Sequence, residues 1–71
     1  MEVGIESIFG IVDVEVSVED VRGVLENNKH KGCMISMYEG TINMVHPKKD
    51  IHDVMYIDEE DVNIVKNVME N

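Results

Sequence analysis

The sequence predicts an α+β fold: a small mixed sheet of about four strands carrying two helices, in the order β-α-β-β-β-α. Three observations lead there. Valines alternate with carboxylates over "VDVEV", residues 12–16, as in a strand with one covered face. Apolar residues recur at helical spacing over 18–25 and again over 62–69. Between them, Glu39-Gly40 separates two β-rich runs as a hairpin turn does.

Taken in order, residues 2–16 read as extended chain, with bends or bulges at Gly4 and Gly10. Val12, Val14 and Val16 face one way, and Asp13 and Glu15 face the other. Ser17 reads as a helix N-cap with Asp20 in the capping-box position. Val18, Val21, Val24 and Leu25 form that helix's apolar face, Asn27 and Asn28 suit its end, and Gly32 marks the next turn. Residues 33–38 and 41–46 pair as a hairpin. Pro47 and two lysines break the chain before a fourth strand over 51–57. Asp58 starts a second helix with Val62, Val65, Val68 and Met69 on its apolar face and Ile64 broadening the stripe. Both helix faces are expected to cover one side of the sheet. The β-α-β start is right-handed if its strands are parallel.

Seventy-one residues make one domain, 1–71. With Phe9, Tyr38 and Tyr56 as the only aromatics, the core is aliphatic. A strongly acidic chain with few aromatics can be disordered, but the regular valine and isoleucine pattern argues for a fold. No apolar run approaches the roughly 18–20 residues of a membrane span. "MEVGIES" lacks the basic start of a signal peptide, and Cys33 has no disulfide partner. A cytoplasmic protein is expected.

Several kinds of chemistry have little support. Cys33 stands among methionines as a small core residue does, rather than beside a positioned base. His30, His46 and His52 follow no metal-ligand spacing, and the glycines form no phosphate loop. "NKHKG" and "HPKK" are basic, but the chain carries −9 overall, which opposes direct nucleic-acid binding. The expectation is a protein that is not an enzyme and uses no metal or cofactor. The strands after residue 32 are less polar on both faces. Cys33, Ile35 and Met37 alternate with Met34, Ser36 and Tyr38. A second cover is therefore expected, and a symmetric homodimer is the simplest.

Charge is the most unusual property. Residues 1–28 carry a net −6, residues 29–49 a net +3 and residues 50–71 a net −6. Self-repulsion on this scale costs stability in a small chain. Acids near a helix start gain about 0.3–1 kcal/mol each from the dipole, but "DEED", residues 58–61, exceeds what one cap requires. Asp13 and Glu15 project about 6.7 Å apart on one strand face. Each strand of duplex DNA shows a phosphate per about 3.4 Å. Lys and Arg accept carboxylates and phosphates alike. The candidate site is thus a polyanionic binding face of Asp13, Glu15, Glu19, Asp20, Asp58, Glu59, Glu60 and Asp61.

On "VDVEVSVED" and "DEEDVNIVKNVME", within an 8 kDa chain, the sequence resembles the small acidic DNA-mimic inhibitors encoded by bacteriophages. In size and charge it is most similar to a phage inhibitor of the bacterial nucleoid protein HU. The resemblance implies a dimeric host-takeover protein in the bacterial cytoplasm that occupies the DNA-binding surface of HU and displaces DNA. The basic middle segment departs from a uniformly acidic mimic, and leaves open one acidic face or two acidic ends. The rival reading is a small structural or regulatory subunit that holds a protein partner on its apolar sheet face and methionines, with acidity serving only solubility.

Overall fold

Alternate residues of three neighbouring strands turn the same way, and this puts Val3, Ile42, Met44, Met55 and Ile57 inside the molecule. A computed structural model describes residues 1–70. Its strands are β1 (Glu2–Ser7), β2 (Gly10–Glu15), β3 (Met34–Tyr38), β4 (Thr41–Val45) and β5 (His52–Ile57). Its helices are α1 (Val18–His30) and α2 (Val62–Glu70), the latter preceded by a 3-10 turn over Glu59–Asp61. The strands form one sheet in the order β2-β1-β5-β4-β3, antiparallel at every neighbouring pair.

The α+β class is as the sequence predicts, and two details differ. The first extended run is two strands rather than one, so five strands form and the order is β-β-α-β-β-β-α. The break falls at Ile8-Phe9. Ser7 Oγ donates to the Gly10 carbonyl at 2.9 Å and accepts from Phe9 N–H at 3.1 Å, and Gly10 takes φ 102°. That positive φ suits glycine best. The sheet is also antiparallel rather than mixed. α1 carries the chain from the β2 edge to the β3 edge, so the strands flanking it never become neighbours.

α1 begins as its sequence implies. Asp20 N–H donates to Ser17 Oγ and Ser17 N–H donates to Asp20 Oδ2, both at 3.1 Å, which closes the capping box. The helix runs past the expected Asn27-Asn28 stop. Asn28 is buried, and its Nδ2 donates to the Val24 carbonyl at 2.9 Å, which satisfies the amide without breaking the helix. Gly32, at φ 97°, ends the turn by donating to the Lys29 carbonyl. Val21 and Leu25 from α1 and Val65 from α2 complete the core, with Val62, Val68 and Met69 packed around it.

The helix layer does not reach across the whole sheet. Val12 and Val14 share the helix-side face with Ile5 and Val3, because these residues sit directly opposite one another in the β1–β2 register. Val3 is buried, yet Ile5, Val12 and Val14 remain partly exposed. The valine alternation predicts a covered face, but the cover stops at β1. Among the described residues no helix is long and apolar enough to cross a membrane.

Candidate functional site

Antiparallel pairing decides where the charges go. The start of β1, the end of β2 and the end of β5 meet at one end of the sheet, as the pairs Glu2–Glu15 and Val3–Ile57 show. The start of α1 follows β2 there, and the Asp58–Asp61 segment follows β5 there. The β3–β4 turn, closed by Tyr38 and Thr41, lies at the same end because Thr41 sits opposite Tyr56. Glu15, Glu19, Asp20, Asp58, Glu59, Glu60 and Asp61 therefore share one end, although sequence separates them into two segments. Asp13 lies two residues further in along β2.

The cations collect at the other end. Lys29 and Lys31 lie at the close of α1, and Lys48 and Lys49 lie in the β4–β5 connection. The two loops touch: a Cβ on Gly32 would stand 3.1 Å from His46 Nε2. His46 Nδ1 accepts from the backbone N–H groups of Lys48 and Lys49, each at 3.0 Å, and so fixes that loop. The basic middle segment thus folds away from the candidate acids, and Asp50 and Asp53 are the acids that accompany it in and after the β4–β5 connection.

A second acidic group lies on the β1–β2 part of the sheet face turned away from the helices. Glu2, Glu6, Asp13 and Glu15 share that face. Glu2 and Glu15 sit directly opposite, an unfavourable pair of like charges. The Met1 amine offsets it, donating to Glu15 Oε1 at 2.9 Å and to the Val16 carbonyl at 2.8 Å. The hydrogen bond to Glu15 is the main cause holding the amine's pKa above 8.0. Burial works against it, while the charges of Glu15, Asp61 and Glu2 add to it. Beside them, Tyr56 O–H donates to Glu6 Oε1 at 2.8 Å. That bond, then burial, then the charge of Glu6 raise the tyrosine pKa above 10.0.

The face and the end join at a notch of about 110 Å³ lined by Glu2, Gly4, Asp13, Tyr56, Ile57 and Asp58. Gly4 leaves it open, since a Cβ there would meet Ile11 Cγ2 at 2.9 Å. A groove of about 350 Å³ next to Ile57 brings Glu59 beside Glu39. Little neutralises these groups. Among the described residues the ion pairs are Met1–Glu15 and a longer Arg22–Glu19 contact at 3.7 Å. Asp13, Asp20, Asp58, Glu59, Glu60 and Asp61 make none. Asp20 is used in the capping box, but Asp58, at the corresponding place before the 3-10 turn, makes no side-chain cap bond. Capping therefore leaves most of the 58–61 cluster unexplained.

Three acids of this surface lie outside the set the sequence predicts. Glu2 and Glu6 share Asp13's face, and their i, i+2, i+4 spacing with Gly4 was the available signal. Glu39 was counted with the basic segment, and only the hairpin brings it beside Glu59. Among the described residues no group of three His, Cys, Asp or Glu is placed to hold a metal ion. Cys33 is buried as a free thiol. Comparison with protein-family models, curated proteins and solved structures finds no match to this chain.

Proposed function

We propose that this chain is an acidic DNA mimic that docks on the basic DNA-binding surface of a nucleoid-associated protein of the HU kind and blocks DNA binding. One observation carries the reading. Two acidic segments far apart in sequence converge on one end and one adjoining face, largely without ion pairs, while the lysines of the middle segment lie at the opposite end. Such a surface presents carboxylates to a cationic partner with little internal neutralisation. Asp13, Glu15, Glu19, Asp20 and the Asp58–Asp61 cluster would meet Lys and Arg side chains. Opposite charge would steer the encounter, and association would slow as salt rises.

The test neutralises Asp58→Asn, Glu59→Gln, Glu60→Gln and Asp61→Asn together. The readout is displacement of labelled duplex DNA from purified HU by fluorescence anisotropy, with circular dichroism as the fold control. The parent displaces DNA at low salt and the folded quadruple variant does not. Equal competition by both proteins would remove that cluster from the site.

The rival reading, an interaction subunit on an apolar sheet face, is favoured by Met34 and Tyr38, which are 64% and 68% exposed on the face away from the helices. Salt separates the two. An apolar contact holds as ionic strength rises, whereas the mimic complex weakens.

A further inference from the structure

The β2 edge is the least protected part of the fold. All six of its residues are exposed, and among the described residues no strand or helix lies beyond it. The register shows which backbone groups are free. Met1 and Val16 exchange both backbone hydrogen bonds, at 2.8 Å each. Antiparallel pairs alternate between bonded and non-bonded, so Val14 and Val12 turn their backbone groups inward to β1. Ile11, Asp13 and Glu15 turn theirs outward. An edge offering unpaired N–H and C=O groups is a template for another strand.

Side chains beside this edge are apolar and uncovered. Ile8 and Phe9 at the hairpin tip are 93% and 89% exposed, and Ile11 is 57% exposed. On the helix side, Ile5, Val12, Val14 and Val24 are each partly exposed, and Ile5 and Val24 line a small hollow with Val3, Val16 and Val21. Together these side chains present on the order of 700 Å², close to the roughly 800 Å² each partner contributes to a standard interface. The opposite edge differs. On β3 the helix-side residues Ile35 and Met37 are half-buried, with Lys66, Met69 and Glu70 of α2 near them, so that strand leaves less apolar surface open on the helix side.

We infer that β2 pairs antiparallel with β2 of a second copy, with Val12 opposite Val12, to give a continuous ten-stranded sheet. Hydrogen-bonded pairing requires the outward-facing residues to meet one another. Centring the pair on Asp13 sets carboxylate directly against carboxylate, which is unfavourable. Centring it on Val12 sets Ile11 against Asp13, and Gly10 against Val14, on both sides of the twofold axis. It also brings the apolar tip alongside Glu15 and Val16 of the second copy. Charge favours the same arrangement. β2 runs from the apolar hairpin tip to the acidic end, so antiparallel pairing holds the two acidic ends apart. The axis stands perpendicular to the sheet, so the two carboxylate faces become one continuous surface. The pairing itself does not depend on the polyanion reading; only its use as a doubled docking face does.

The test uses the full chain. Size-exclusion chromatography with light scattering should give about twice the 8.1 kDa chain mass. Two copies of charge −9 repel, so raising salt should strengthen the dimer, the reverse of its expected effect on a complex with a cationic protein. Val12→Cys sits at a non-bonded pair, where Cα atoms are close enough for a disulfide, and should crosslink on mild oxidation. Asp13→Cys should not. Ile11→Pro removes an N–H that faces away from β1, so it should leave the circular dichroism spectrum intact and weaken the dimer at least about tenfold. A parent that stays monomeric in high salt overturns the inference. So does a dimer that survives Ile11→Pro, or one crosslinked by Asp13→Cys but not by Val12→Cys. DNA displacement is scored separately, so a failed mimic assay leaves this result standing.

Discussion

Gly4→Ala tests whether the carboxylate face is built around a gap. Gly4 lies between β2 and β5, opposite Asp13 on one side and Tyr56 on the other. A methyl group there would stand 2.9 Å from Ile11 Cγ2, 3.1 Å from Tyr56 Cβ and 3.5 Å from Asp13 Oδ1. Ile11 is 57% exposed and has room to turn, but a β-branched side chain leaves its rotamer at a cost of about 0.5–1.5 kcal/mol. Tyr56 Cβ has no such freedom, because it is fixed to the backbone that pairs with Gly4. Relief there requires the strands to part, and overpacking of this kind costs about 1–3 kcal/mol. Alanine recovers about 0.5–1 kcal/mol through the smaller entropy it loses in a strand. Strain wins, and the net loss is about 1 kcal/mol. For a chain of this size that lowers the thermal midpoint by about 4–8 °C. Thermal melts followed by circular dichroism measure it. Near-ultraviolet titration of tyrosine gives an independent readout. Displacing Tyr56 from Glu6 should bring its pKa back toward 10.0. A variant as stable as the parent, with an unchanged tyrosine titration, would refute the claim that the face needs this gap.

Other consequences follow from local geometry. Glu39 and Gly40 have φ of 45° and 77°, the positive pair of a type I′ turn, and Glu39 is the only described non-glycine residue with positive φ. Glu39→Asn should stabilise the fold by about 0.5–1 kcal/mol, read as a higher denaturant midpoint at unchanged slope. Ser17→Ala removes the Oγ acceptor of the Asp20 N–H, leaves the backbone N–H of residue 17 bonded to Asp20 Oδ2, and should cost about 1 kcal/mol, with a matching loss of midpoint in thermal melts. Stability should also fall in alkali. The Met1 amine has a raised pKa, so its contribution is complete below about pH 8.0 and is lost as pH rises through the folded value. Tyr56 titrates in the same sense above about pH 10.0, because its protonated form is the one held by Glu6. Melts across this range should show the first decline disappear in Glu15→Gln and the second in Glu6→Gln.

Helices and the second hairpin were legible in the sequence because each carries a local signature. Ser17 with Asp20, the Val21–Leu25 stripe and Glu39-Gly40 all act within a few residues of themselves. The first hairpin was not. Ile8-Phe9 looks like strand, being β-branched and aromatic, and the turn is held by Ser7 Oγ and the φ of Gly10. Missing that turn gave one strand too few. It also hid the fact that β1, rather than β2, lies inside the sheet. The alternation of Val12 and Val14 was read correctly as to side but not as to cover, since periodicity reports which way a side chain points and not what lies above it. The acids were visible in the sequence. Their meeting was not, because it depends on β5 joining β1 some fifty residues away in the chain.

Helix dipoles account for part of this charge layout, and that sharpens what remains. The starts of both helices lie at the acidic end, and α1 closes at the cationic end with Lys29 and His30 in its last turn. Glu19 and Asp20 in the first turn of α1, and one or two acids before α2, therefore stand where the backbone favours negative charge, by about 0.3–1 kcal/mol each. Their placement would be expected in a protein with no polyanionic function at all. Glu2, Glu6, Asp13 and Glu39 belong to no helix start. Glu2 faces Glu15 across the sheet, and Glu39 occupies a backbone conformation that glycine or asparagine would fill at lower cost. Glu2 and Glu39 oppose stability rather than serve it. If selection for a cationic partner shaped the surface, its clearest mark is there, and the notch at Gly4 is where Glu2 and Asp13 meet Asp58.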